Sequence, residues 1–271
     1  MRRKGFTGFE RTANKFFMEN SNKAFTVTEL IVVVAVLVIL GGILLPALAA
    51  THDRSNRAVC QFNLRQIALA ATQYAGDNHD TVFPASQNFY PVQFDSFPVP
   101  KVGLATNRPS IWSCPNRPLF PMLAGSQLVI GYQYYGGITN WLNAIGSIPS
   151  RSPVKLSQSK PYWMLAADMV AQPDGINWSL STDEPNGWSD LPAHHTADSM
   201  LPTGGNEVFC DGSVQWINVH EMYSFHTFND PTSGGTMRTL YFYQDVSDDA
   251  YLVPRLGALY RAGVTSPGAR F

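Results

Sequence analysis

The chain has 271 residues, with 19 Lys and Arg against 20 Asp and Glu and a net charge of −1, a balance that offers no broad basic surface for nucleic acid. Apolar residues make up 45% of it and charged residues only 14%, which excludes a disordered polar chain. The 19 prolines and 21 glycines point to a folded, loop-rich protein, and its length leaves room for one sizeable globular domain.

Residues 1–24 are basic, carrying Arg2, Arg3, Lys4, Arg11, Lys15 and Lys23 against Glu10 and Glu19, so the remainder is acidic. An apolar run over 30–50 follows. As a helix, its roughly 21 residues would cover about 30 Å, the thickness of a hydrocarbon core. One carboxylate, Glu29, stands at its mouth. An ionised acid there costs several kcal/mol unless a positive group meets it.

The local sequence Lys23-Ala24-Phe25-Thr26-Val27-Thr28-Glu29-Leu30-Ile31-Val32 resembles the processing site of type IV prepilins and type II secretion pseudopilins. Ala24 stands where that family usually has Gly, and small size is kept. The resemblance implies that a prepilin peptidase cuts between Ala24 and Phe25, methylates the Phe25 amine and leaves the apolar helix on the chain. Glu29 then becomes an assembly contact for the Phe25 amine of a neighbouring subunit, an ion pair that offsets the desolvation of both groups. It further implies a single-pass protein of the bacterial inner membrane, N-terminus cytoplasmic and head periplasmic, assembling into a pseudopilus or a type IV pilus-like filament.

Four other readings concern the N-terminal region. Gly5-Phe6-Thr7 with Glu10 repeats the pattern upstream, but no apolar run follows it, and Met18 offers an alternative start with a shorter leader. A secretory signal peptide would use the small-x-small site Ala47-Leu48-Ala49, releasing a product beginning at Ala50. An uncleaved anchor would keep the basic residues inside.

From residue 52 the pattern turns amphipathic. Leu64, Ile67, Ala68, Ala71, Tyr74 and Ala75 fall on one stripe, Arg54, Arg57, Gln61, Arg65 and Gln73 opposite it, and Gly76 supplies a stop. The spacing predicts one helix over 25–75, interrupted only by Gly41-Gly42 and Pro46. The expected fold is α+β and pilin-like: a leader over 1–24, a long N-terminal helix over 25–75 with a transmembrane first half, and a head over 76–271 with an antiparallel sheet against which the helix packs.

Within the head, 83–108 reads as an extended loop, while 127–135, 162–167 and 240–243 read as strands. Asp211-Gly212 between the runs 207–210 and 213–217 predicts a two-residue type I′ hairpin. The segment 194–217 is also similar to a processing-associated segment of prepilin-like proteins, in which a His lies about nine residues before Asp-Gly. Here 15 residues separate His195 from Asp211.

Cys60, Cys114 and Cys210 allow one disulfide and one leftover thiol. The resemblance pairs Cys60 with Cys114, because similar proteins carry a helix Cys followed by Asn-Leu-Arg-Gln and a later Cys-Pro. No Cys-x-x-Cys pair is present, so spacing gives no zinc signature. His194, His195, Glu207, Asp211 and Asp168 are weak metal candidates, set against a turn role for Asp211 and solvated histidines. Asp245, Asp248 and Asp249 raise calcium, without an EF-hand loop.

No catalytic residues emerge: nucleophile elbow, phosphate loop and dinucleotide fingerprint are all missing from the sequence. The expected partners are prepilin peptidase, other pilin-type subunits and the inner membrane, with no nucleic acid, and the chain is expected to be a peptidase substrate rather than an enzyme. Six tryptophans raise one alternative, a membrane-anchored or secreted carbohydrate-binding module. A metal-dependent hydrolase would need His194 or His195 beside Asp211.

Overall fold

A computed structural model describes residues 26–87, 89–95, 110–117, 120–124, 127–172, 178, 193–195, 201–230 and 236–259, without the side chains of 44–50, 230, 236 and 237. The scissile pair Ala24 and Phe25 lies outside these residues. The chain divides into two compact units, Met1–Ala50 and Thr51–Phe271.

The single α-helix among the described residues, α1 (Val27–Asp77), starts on a reciprocal cap. The Glu29 carboxylate accepts from the Thr26 amide at 2.9 Å and from the Thr26 hydroxyl at 2.8 Å, while the Glu29 amide donates to Thr26 Oγ1 at 3.2 Å. This is a capping box, Thr at the N-cap and Glu three residues on. The helix passes through Gly76, and the chain turns instead at His79 and Asp80, whose φ values are 55° and 66°. Asp80 N then donates to Ala75 O, and the Asn78 side chain caps Tyr74 O at 2.7 Å.

The expected membrane-spanning half is not found. Among the described residues no helix is long and apolar enough to cross a membrane. A span needs about 20 consecutive apolar residues, and no described helix meets that requirement. This overturns the fold class of a long transmembrane helix packed on a head, and with it the inner-membrane, single-pass placement. Outside α1 the regular structure is mainly a set of small antiparallel sheets.

There are twelve strands among the described residues: β1 (Gln93–Asp95), β2 (Met122–Ala124), β3 (Gln127–Val129), β4 (Tyr132–Tyr134), β5 (Asn140–Asn143), β6 (Gly146–Pro149), β7 (Met164–Asp168), β8 (Ala171–Gln172), β9 (Gly204–Phe209), β10 (Val214–Asn218), β11 (Tyr223–Asp230) and β12 (Thr236–Phe242). They form sheets ordered β10-β9-β7-β4, β1-β3-β2, β11-β12-β8 and β5-β6. Every pairing is antiparallel. The strand expected over 127–135 breaks in two at Gly131. Its amide donates to Trp112 O, and a Cβ there would stand 2.8 Å from Cys114 N. Only glycine lets the backbone pass so close, and the break sends β3 and β4 to different sheets.

The hairpin at Asp211-Gly212 also differs from its two-residue expectation. Val214 pairs with Val208, Phe209 N bonds Ser213 O, and only Gly212 has positive φ, at 79°. Cys210, Asp211 and Gly212 therefore make a three-residue connection with glycine in the left-handed position. Asp211 contributes a local bond, accepting from Ser213 N at 2.8 Å.

The core of the second unit is aromatic. Phe83 stacks on Tyr134 with centroids 4.6 Å apart, Trp112 meets Phe94 at 4.9 Å, and Tyr134 donates its hydroxyl to Phe83 O at 2.8 Å. Cys60, Leu64, Ile67, Ala68, Ala71 and Ala75 bury the helical stripe, with Tyr74 at its edge. His226 is buried too. Its Nδ1 accepts from Leu142 N at 3.3 Å, and its Nε2–H donates to Phe89 O at 2.9 Å.

Burial pushes the His226 pKa down to about 4, against the hydrogen bond to Phe89 that favours the cation. A depressed folded pKa means the unfolded chain binds the proton more readily. Stability is therefore full above about pH 6.5 and falls as pH drops toward 4, by about 3 kcal/mol from this residue. In urea titrations at pH 7 and pH 4.5, His226→Gln is expected to shrink the difference between the two pH values by most of that amount. An undiminished difference would refute the assignment.

Candidate functional site: a buried thiol, imidazole and carboxylate cluster

Three elements of the second unit bring one ligating group each to a common point. The helix contributes Cys60, the end of β7 contributes Asp168, and the segment 193–195 contributes His194, all buried, with their ligating atoms within 4.8 Å of one another. The His194 segment is fixed by its backbone. Ala193 N donates to Met169 O at 2.8 Å, and Thr203 N donates to His194 O at 3.0 Å.

Asp168 is held through one oxygen. Its Oδ2 accepts from the Asn206 amide and from the Asn206 side chain, each at 2.8 Å, and lies 3.2 Å from His194 Nε2. Its Oδ1 is buried without a hydrogen-bond partner. His194 Nε2 stands at ion-pair distance from Asp168 but also makes no well-aligned hydrogen bond.

The other imidazole nitrogen faces a second carboxylate. His194 Nδ1 is 3.3 Å from Asp53 Oδ1, and Asp53 Oδ2 is 2.7 Å from Arg57 Nε. The Arg57 guanidinium lies 3.9 Å from the Trp216 ring centre, and Trp216 meets the His194 ring edge-on at 5.2 Å. The Asn116 side chain donates to Ala193 O at 2.7 Å and also lies 3.2 Å from His194 Nδ1. Burial alone would lower the His194 pKa, but the neighbouring Asp168 carboxylate first, and then Asp53, raise it. The site favours a positive charge at the imidazole.

Cys114 joins the edge of this cluster. Its sulfur lies 3.5 Å from Cys60 Sγ, both thiols are buried, and neither is bonded to the other. A disulfide would need about 2.05 Å. The contact between the two thiols holds the Cys114 pKa below its ordinary value and raises that of Cys60. Cys210, expected as the leftover thiol, is pushed up to about 12 by burial and by Asp211.

The sequence pointed to five metal candidates, of which the structure brings together His194 and Asp168. His195 is exposed and pairs with Pro202 through its backbone, and Asp211 is an exposed turn residue. Glu207 adjoins Asn206 on β9 but turns to another partner, accepting from Tyr243 N at 2.8 Å. Burial raises its pKa well above the ordinary carboxylate value. Cys60 was not among the metal candidates. The signal available for it was its place one turn before Leu64 on the buried stripe, facing the sheet.

The acidic stretch raised for calcium does not converge. Asp249 pairs with Arg151, Asp248 with Lys160, and Asp245 accepts from Ser247 N at 2.9 Å. The tryptophans form no sugar platform among the described residues. Trp112, Trp141 and Trp178 are buried, Trp163 is half-buried, Trp216 is covered by Arg57, and Trp188 lies outside the described residues.

In the first unit, Glu29 has its carboxylate held below the usual range by the amide and then the hydroxyl of Thr26. Around it the helix is apolar and open on all sides: Val27 is 73% exposed, Leu37 61% and Ile43 69%. Comparison with known protein families, with characterised proteins and with solved structures finds no match to this chain.

Proposed function

We propose that this chain is a structural subunit of a pilin- or pseudopilin-type filament, cut by a prepilin peptidase between Ala24 and Phe25, methylated on Phe25, and packed through its N-terminal helix against the same helix of neighbouring copies. The observation that carries this reading is the exposure of Val27, Leu30, Ile31, Val32, Val33, Val34, Val36, Leu37, Val38, Ile39, Leu40 and Ile43 on one helix. A helix apolar all round is a buried element, and sister helices bury it in kind. The protein's role is mechanical, and it is the substrate of the peptidase.

Glu29 has two tasks in this reading. In the single chain its carboxylate caps the helix through Thr26. In the filament it turns to the Phe25 amine of a neighbour, exchanging a local hydrogen bond for an ion pair that sets the axial step.

Mass spectrometry of the native N-terminus tests the first step. Methylated Phe25 is the expected species, and an intact leader would overturn the processing. For the second step, Glu29→Ala is expected to abolish filament incorporation, whereas Thr26→Val, which removes the hydroxyl of the cap and keeps the carboxylate, is expected to assemble. Equal behaviour of the two variants would sink the ion pair and leave Glu29 a capping residue.

A further inference from the structure

We infer that Cys60, His194 and Asp168 form a structural zinc site in the second unit, with Cys114 supplying the fourth ligand. The inference is independent of the filament reading, since none of these residues belongs to the N-terminal helix segment discussed there. Two thiolates, an imidazole and a carboxylate make a mixed soft and borderline set that suits Zn²⁺ better than Ca²⁺ or Mg²⁺.

The spacing fits the ion. Zinc bonds of about 2.0–2.3 Å in a tetrahedron put neighbouring ligand atoms roughly 3.3–3.8 Å apart. Cys60 Sγ and Cys114 Sγ are 3.5 Å apart, His194 Nε2 and Asp168 Oδ2 are 3.2 Å apart, and the Cys60, Asp168 and His194 ligand atoms all lie within 4.8 Å. Cys114 meets this spacing at Cys60 and stands outside the three-residue set, so its approach to the ion is part of the inference.

The polar atoms left over point the same way. Buried polar groups are normally hydrogen-bonded, and an unmet one costs about 1–3 kcal/mol. Asp168 Oδ1 and His194 Nε2 are both buried and both lack a well-formed hydrogen bond, in a site where the neighbouring Asn206 and Asn116 side chains donate to Asp168 Oδ2 and Ala193 O. A cation at the centre satisfies His194 Nε2, and Asp168 Oδ1 once the carboxylate turns that oxygen toward it.

The surroundings supply what a metal-bound histidine needs. With Nε2 on the metal, Nδ1–H is the donor, and Asp53 Oδ1 accepts it at 3.3 Å, itself oriented by Arg57. A carboxylate behind the distal nitrogen fixes the tautomer and ring orientation of zinc-binding histidines. Binding releases the Cys60 proton, and that of Cys114 when its thiol is protonated, to solvent, and no electrons move. Through its four ligands the ion would tie the helix, β7, the Cys114 turn and the His194 segment together.

The test uses the full chain purified under reducing conditions. One equivalent of Zn²⁺ per chain is expected, together with a thermal midpoint that rises with zinc concentration. Co²⁺ in place of Zn²⁺ should give a thiolate-to-cobalt charge-transfer band that Cys60→Ser and His194→Ala abolish or sharply reduce. Asp53→Asn, altering a surface residue that touches no metal, should weaken zinc about ten- to a hundredfold. Absence of the charge-transfer band in the folded, reduced wild-type chain would overturn the site, as would a band untouched by either ligand substitution. Isolation of the zinc-exposed chain with Cys60 and Cys114 fully joined as a disulfide would overturn it as well.

Discussion

Val33→Asp combined with Leu37→Asp is expected to convert an assembling chain into a non-assembling one while leaving the thermal midpoint of the second unit unchanged. Both residues lie in the first unit, Leu37 is 61% exposed, and neither is part of the aromatic core. A Leu or Val side chain moved fully out of water contributes about 1.5–3 kcal/mol, and in a filament each subunit covers several neighbours, so the loss multiplies along the polymer. Burying two carboxylates in that contact adds a desolvation cost of several kcal/mol per ion. Sedimentation and negative-stain microscopy of the processed protein supply the readout. Filaments from the double variant, equal in length and yield to wild type, would end the proposal that sister helices cover this segment.

Trp112→Ala is expected to be the most destabilising single truncation in the second unit. Its side chain is fully buried, with ring contacts to Phe94 at 4.9 Å, Tyr134 at 5.7 Å and Phe83 at 5.8 Å. Its backbone oxygen also accepts from Gly131 N where β3 and β4 separate. Removing a buried indole costs about 3–5 kcal/mol, because the lost transfer energy is compounded by a cavity that rigid neighbours cannot close. Against a typical stability of about 5–15 kcal/mol that is a large share. For a unit of this size the thermal midpoint should drop by about 6–20 °C. Calorimetry decides: a midpoint within about 2 °C of wild type would mean that this cluster is not the centre of the fold.

Much of the local structure was legible in the sequence because it depends on neighbours in the chain. The stripe Leu64, Ile67, Ala68, Ala71 repeats at the helical period and is buried as a stripe. Thr26 and Glu29 stand at capping-box spacing, a local signal that the structure realises at the start of α1. The Asp-Gly pair marked a reversal, yet the loop length depended on the register of Val208 with Val214, which no dipeptide encodes. The length of the apolar run suggested a membrane span that the described helix does not provide.

The cluster was legible only as a set of residue types. Nothing in the spacing of Cys60, Asp168 and His194 distinguishes them from Glu207, Asp211 or His195. Adjacent residues separate because a strand alternates its side chains and an extended segment turns them apart: Asn206 holds Asp168 while Glu207 meets Tyr243, and His194 is buried while His195 faces solvent.

Periodicity, capping and turn chemistry act over a few residues, so the order of amino acids already places the long helix and the hairpin. Tertiary structure alone decided that the helix thiol, the β7 carboxylate and one of two adjacent imidazoles share a buried centre. Contacts between distant segments follow from how the sheets stack and which faces they bury, and that information is spread over the whole chain.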